Sequence, residues 1–127
     1  MKMIKRKTAV TGLLIILSLI VVFHLLVVAQ IIPHEVVWGG KFDHYASILP
    51  FEIVSIVLNV SFILLVRLRA RRPESKSGRI GMLLMVVIFG LNTVGNLFAE
   101  TMFEKAVFTP LTLIIALLSL RLALKGD

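Results

Sequence analysis

The chain contains no cysteine, which excludes a disulfide framework, a thiol redox centre and thiolate-held zinc or iron-sulfur chemistry. Acidic residues are scarce: 7 Asp and Glu stand against 14 Lys and Arg, a formal net charge of +7. Tryptophan and tyrosine occur once each, at Trp38 and Tyr45, and only 4 prolines interrupt 127 residues. What remains is largely aliphatic. Hydrophobic residues reach 58%, above the roughly 45 to 50% of a soluble domain, and a mean hydropathy of +1.00 argues against both disorder and a water-soluble enzyme domain.

Long apolar runs account for this composition, over residues 8–32, 48–66, 81–99 and 107–124. Each comes close to or exceeds the ~20 residues a helix needs to cross a hydrocarbon core. The expected fold is therefore all-α, an integral membrane four-helix bundle forming a single transmembrane domain over residues 1–127. Its connectors, 33–47, 67–80 and 100–106, are short enough to impose antiparallel hairpins.

The charges give a direction. Of the 14 basic residues, 12 fall before the first run, in the connector 67–80 or at the C-terminal end, leaving Lys41 and Lys105 for the other connectors. Lys and Arg are retained on the cytoplasmic side during insertion, so both termini are expected inside. Lys2 to Lys7 ahead of a run passing through Val27-Val28-Ala29 also has the outline of a secretory signal. A signal core holds about 7 to 15 residues, and this run is longer, which favours an uncut anchor. A mature chain beginning at Gln30 would remove the first span.

Arg67, Arg69, Arg71 and Arg72 taken alone have the look of a nucleic-acid patch. Beside a span, the same residues fix orientation and meet anionic lipid headgroups, at roughly 1 kcal/mol for each one near the surface. The expected partner is thus the lipid bilayer and not nucleic acid. Trp38 and Tyr45 flank Gly39-Gly40 in the first outer connector, where amphipathic aromatics serve as interface anchors or as a lid.

The informative residues are those that hydrocarbon disfavours: His24, Glu52, Asn59, Asn92, Asn96 and Glu100. Glu52, Ser55 and Asn59 recur at spacings of three and four, and Asn92, Asn96 and Glu100 at every fourth residue, so each set forms a stripe on one helix face. Lipid cannot satisfy amide or carboxyl groups, so both stripes should turn inward. Counted at ~1.5 Å per residue from the span midpoints, Asn59 and Asn92 lie near the midplane. His24, Glu52 and Asn96 share a layer roughly 7 Å toward the outer face, with Glu100 at the mouth.

That geometry predicts a polar cavity open to the outside, in which Glu52 and His24 couple and the asparagines act as neutral partners. A carboxyl group in low dielectric exchanging a proton with an imidazole suits proton-coupled binding of a cation or small polar solute. The competing role for the same residues is interhelical hydrogen-bond glue. The fourth run carries Thr109, Thr112, Ala116, Ser119 and Ala123 as a small-residue stripe, which either seals the bundle or forms a homodimer or a contact in a larger complex.

Trp38-Gly39-Gly40, Phe51-Glu52, Gly90-Leu91-Asn92-Thr93, Asn96-Leu97-Phe98-Ala99, Phe103-Glu104-Lys105 and Thr109-Pro110 together resemble a group of small bacterial four-span membrane proteins with no assigned activity. The resemblance covers about half the chain and implies a bacterial plasma-membrane setting. Small multidrug-resistance transporters are similar in length and span number, but carry their membrane Glu in the first span, where this chain has His24. Quinone-linked reductases of the vitamin K type require cysteines. No Ser-His-acid spacing or helix-borne metal motif is present, and His24 alone cannot make a bis-histidine haem site, so neither an enzyme nor a cofactor or metal is expected. The expected function is a proton-linked carrier of a small solute or cation; the alternative is a non-catalytic accessory or assembly subunit.

Overall fold

The computed structural model describes residues 4–33, 44–99 and 101–124. Among them there is no strand, and the helices are α1 (Arg6–Val28), α2 (Tyr45–Arg71), α3 (Lys76–Leu97) and α4 (Thr109–Ala123), the last entered through a π-helical segment, Glu104–Phe108. Taken with that segment, all 4 helices are long and apolar enough to cross a membrane. Only 22% of the apolar window is buried in α1, α2 and α3, against 39% in α4. Leu19, Leu64 and Leu91 are each more than 60% exposed. Water would penalise so much outward apolar surface, whereas lipid does not.

Helix limits differ from the hydropathy limits for local reasons. α1 stops at Val28 although Ile31 and Ile32 are apolar, because the chain turns at Gln30, whose φ of 62° is left-handed. α2 and α3 extend into the basic segment on both sides, leaving only residues 72–75 non-helical within the expected connector 67–80. Lys and Arg are good helix formers and their heads reach past the apolar surface. Pro73 follows the end of α2, and Ser75 caps α3 by accepting from the Gly78 N–H at 3.1 Å.

Two apolar clusters lie at different levels. The larger gathers Leu13 and Leu17 of α1, Phe62 and Val66 of α2, Met82 and Met85 of α3, and Ile115 of α4. The smaller, Val27 with Ile48, joins the end of α1 to the start of α2. The larger cluster lies in the half of the bundle where the start of α1 and the ends of α2 and α4 meet, and that end is closed by arginine. Arg69 donates to Leu122 O at 2.8 Å and Ser75 O at 3.2 Å, Arg6 to Leu124 O at 3.0 Å, and Arg121 to Ile4 O at 2.6 Å. The last carbonyls of a helix have no partner within it. Here guanidinium groups supply those partners for α4, so its end is sealed without a glycine cap.

Candidate functional site

His24 on α1 and Glu52 on α2 meet between the two apolar clusters, with Nδ1 to Oε1 at 2.7 Å. Glu52 is fully buried and the His24 side chain is 14% exposed. This contact holds a proton whether imidazole donates to carboxylate or carboxylic acid donates to imidazole. Their meeting follows from span geometry. Val27 packs with Ile48 one turn farther along, which brings the facing residues of α1 and α2 into register.

His24 also lines a cavity of about 450 Å³. α1 contributes Ile20 and Phe23 as well, α2 contributes Ser55 and Asn59, and α3 contributes Phe89, Asn92, Gly95 and Asn96. Glu104, Phe108 and Thr112 complete the wall from the chain leading into and along α4. The polar stripes of α2 and α3 thus border one space, but the asparagines of α3 do so from beside its buried face and not on it. Their amide donors do not bridge the helices: Asn59 Nδ2 donates to Ser55 O at 2.7 Å and Asn96 Nδ2 to Asn92 O at 2.8 Å, each within its own helix. Asn59 is 7% exposed, and its Oδ1 has no hydrogen-bond partner. A buried amide oxygen without a partner costs on the order of 1 to 3 kcal/mol. Asn92 is exposed and Asn96 half-buried, which makes their wall the open side.

No family model, curated protein or solved structure matches the chain. The geometry of the cavity therefore carries the functional argument.

Glu104 is the acid the spacing did not single out. Expected in the connector 100–106, it is instead 7% exposed and lines the cavity. Thr101 holds it: the hydroxyl donates to Glu104 Oε1 at 3.0 Å and accepts from the Glu104 N–H at 3.3 Å. The π-helical register follows, with Thr109 N–H bonding back to Glu104 O, five residues away. Pro110 explains the wide turn. Its ring would clash with the carbonyl of Ala106 in an α-helix, and a π-bulge opens that turn. The signal was available: Glu104, Phe108, Thr112, Ile115, Ser119 and Leu122 follow at steps of three and four, all pointing to one face.

The remaining expected residues are distributed as follows. Arg67, Arg71 and Arg72 are exposed, as a headgroup-facing row requires. Arg69 departs from that expectation: at 2% exposure it is inside the bundle, since it continues the buried face Asn59, Phe62 and Val66. The Tyr45 hydroxyl donates to Val28 O, tying the start of α2 to the end of α1. Trp38 and Glu100 lie outside the described residues. Of the small stripe on α4, Thr112, Ala116, Ser119 and Ala123 are buried within this one chain, so the stripe packs inside the bundle. Thr112 and Thr93 hydroxyls lie 2.9 Å apart and join α4 to α3. Among the described residues no group of three or more His, Cys, Asp or Glu is placed to hold a metal ion.

Proposed function

We propose that the chain is a small multi-pass carrier of a bacterial plasma membrane, with both termini inside, which binds a small polar or cationic solute and exchanges it for a proton. The observation that carries this reading is the 2.7 Å contact between a fully buried carboxyl group and an imidazole that lines the cavity. Glu52 is not itself in the cavity wall, so His24 is the link between that carboxyl and whatever enters. An imidazole within hydrogen-bond distance of a carboxyl group can accept its proton or return it. Binding of a cation near the pair favours loss of that proton, which is the linkage a coupled carrier needs.

A second reading, a non-catalytic accessory subunit, draws on the same contact and on the Thr93 to Thr112 contact, which both join neighbouring helices. The two differ in proteoliposomes containing a trapped pH dye. Guanidinium, tetramethylammonium, sodium and glycine are added in turn. A carrier moves protons in response to at least one of them, and Glu52→Gln loses the response while eluting as the same folded species. A folded Glu52→Gln protein with undiminished proton movement removes Glu52 from the mechanism. No movement with any solute, together with copurification of a stoichiometric membrane partner, favours the accessory subunit.

A further inference from the structure

The cavity has one side that its helices do not close. Of the neighbouring pairs in the bundle, α3 packs most closely on α4 and α1 on α2, whereas α2 and α3 touch least. Ser55 on α2 and Asn92 and Gly95 on α3 line the cavity at that gap. Asn92 and Gly95 are exposed, and a Cβ added at Gly95 meets nothing within 4 Å. Where α1 ends and α4 is entered, the same space is bounded by Phe23 and Phe108, which pack against Phe103 with all three ring centroids 5.0 to 5.8 Å apart. The opening therefore faces sideways and not along the bundle axis. Its depth is that of hydrocarbon: Asn92 lies near the middle of the apolar run 81–99, and Gly95 less than one turn farther along. Leu91 and Phe98 line the same side and are 68% and 80% exposed, a rim that suits lipid and that water would penalise.

Asn92 is the polar group this opening leaves unserved. Its backbone carbonyl accepts from Asn96, but its side-chain amide makes no hydrogen bond among the described residues, and lipid supplies none. The ionisable side chains of the lining differ from it, because both are engaged within the chain, His24 with Glu52 and Glu104 with Thr101. Neither calls for a charge on a ligand, and a charge is disfavoured along a route through hydrocarbon.

From these observations, and resting on the carrier reading only for the identity of the cavity as the binding site, we infer that the cavity is loaded from the bilayer, between α2 and α3, by an uncharged molecule with an apolar or aromatic body and an amide-like polar group. That group pairs with the Asn92 amide, which both donates and accepts, so a partner that does the same matches it best. The body packs among Phe23, Phe89 and Phe108. The volume, about 450 Å³, falls within the range of pockets for drug-sized molecules, about 300 to 1,000 Å³. Ions are excluded by the route, and plain hydrocarbons leave Asn92 without a partner.

The test has two arms, access and binding, both on the full-length chain. Because the chain has no cysteine, single nitroxide labels can be attached in phosphatidylcholine vesicles at Gly95→Cys, at Leu84→Cys as the lipid-facing reference and at Glu74→Cys as the water-facing one. The Gly95 label should relax more with oxygen than with a water-soluble nickel complex, as at Leu84. The reverse order, as at Glu74, would overturn entry from the bilayer, and spin-spin broadening between Gly95 labels would overturn it by placing a second copy on this face. Binding is read by calorimetry on the protein in nanodiscs, against empty nanodiscs, with 4-phenylbutanamide as probe and concentrations taken in the bilayer. 4-Phenylbutylammonium and 4-phenylbutanoate add a charge of either sign, and butylbenzene removes the amide. The amide should bind at least about 10-fold more tightly than either ion and about 3-fold or more than butylbenzene, the latter the size of one net hydrogen bond. Asn92→Leu should erase the preference over butylbenzene, and Asn92→Ala, which removes the same amide, keeps the test decisive if Asn92→Leu does not fold. Thermal unfolding establishes that each variant is folded. Equal binding of either ion, or an amide preference that survives in a folded Asn92 variant, would overturn the inference. Binding in the expected order without proton movement retains it and removes the carrier; proton movement driven by sodium or glycine, with no binding of 4-phenylbutanamide, does the reverse.

Discussion

The half of the bundle that holds the termini and the half that holds the cavity solve the same problem, burying polar groups away from water, in opposite ways. At the arginine end every buried guanidinium is spent on backbone carbonyls: Arg69 on Leu122, Ala123, Pro73 and Ser75, and Arg121 on Ile4. Between those contacts and the polar layer lies an apolar cluster in which Leu13, Met82, Met85 and Ile115 are fully buried. At the other end the same helices separate around a cavity, and a buried amide oxygen is left without a partner. Guanidinium groups held on several carbonyls rigidify the closed end, although the buried Ser119 hydroxyl on that half of α4 also lacks a partner. The contrast is therefore one of packing, a dry cluster on one side and an open space on the other.

Substitutions that contrast the two halves should differ most where packing is at stake. Met85→Ala, in the dry cluster, is expected to lower stability by about 2 to 5 kcal/mol, whereas Asn92→Ala on the open wall should change it by less than about 0.5 kcal/mol, both read from unfolding of the purified protein in mixed detergent. Next in size is the arginine contrast. Arg69→Met removes a donor from the carbonyls of Leu122 and Ala123 at the end of α4 and of Pro73 and Ser75 after α2, and should cost about 2 to 4 kcal/mol, while Arg67→Met, exposed on the same helix, should be nearly silent. Equal effects of the two would mean that the closed end is not held by guanidinium groups.

Glycines sharpen the contrast at smaller amplitude. A Cβ at Gly81 would come within 2.6 Å of Leu65, while one at Gly95 meets nothing within 4 Å. Gly81→Ala should therefore destabilise by about 1 kcal/mol, through displacement of Leu65. Gly95→Ala should stabilise by about 0.5 to 1 kcal/mol, through helix propensity. Circular-dichroism melts separate the signs. The smallest effect belongs to the threonine contact between α3 and α4. Each hydroxyl has one proton, and both also lie near a carbonyl of their own helix, Thr93 near Phe89 O and Thr112 near Phe108 O. Only one of them can donate to the other, so a double-mutant cycle with Thr93→Val and Thr112→Val should give a coupling of about 0.6 kcal/mol.

Much of this was legible in the residues. Four spans follow from hydropathy because lipid demands continuous apolar helices, and counting residues from the span midpoints put His24 and Glu52 at one depth. Two things were harder to read. One is the surroundings of an amide: Asn59 lies on the buried face of α2, but Asn92 and Asn96 lie beside the buried face of α3, which runs through Met85, Phe89 and Thr93, and the donors of Asn59 and Asn96 bond their own helices. The other is polarity that extends a buried stripe beyond the apolar run. Arg69 and Glu104 both continue the inward face of their helix by three- and four-residue steps, yet each sits past the point where hydropathy falls, and charge there reads as surface. Arg121 is different, since it adjoins Leu122 at the very end of α4, and burial at that position comes from Ile4, a contact across almost the whole chain.

A π-helical segment accommodates one more residue than an α-helix of equal rise. Removing a single residue between Lys105 and Phe108 would restore the ordinary register and leave Glu104 on the same side of the helix, because the wide turn absorbs the extra residue locally. The same deletion in the regular turns after Thr112 would instead rotate everything on its N-terminal side by about 100° around the axis of α4. The wide turn is thus the place where this chain can change its length and keep Glu104 in the cavity wall, a property that no scan of substitutions samples.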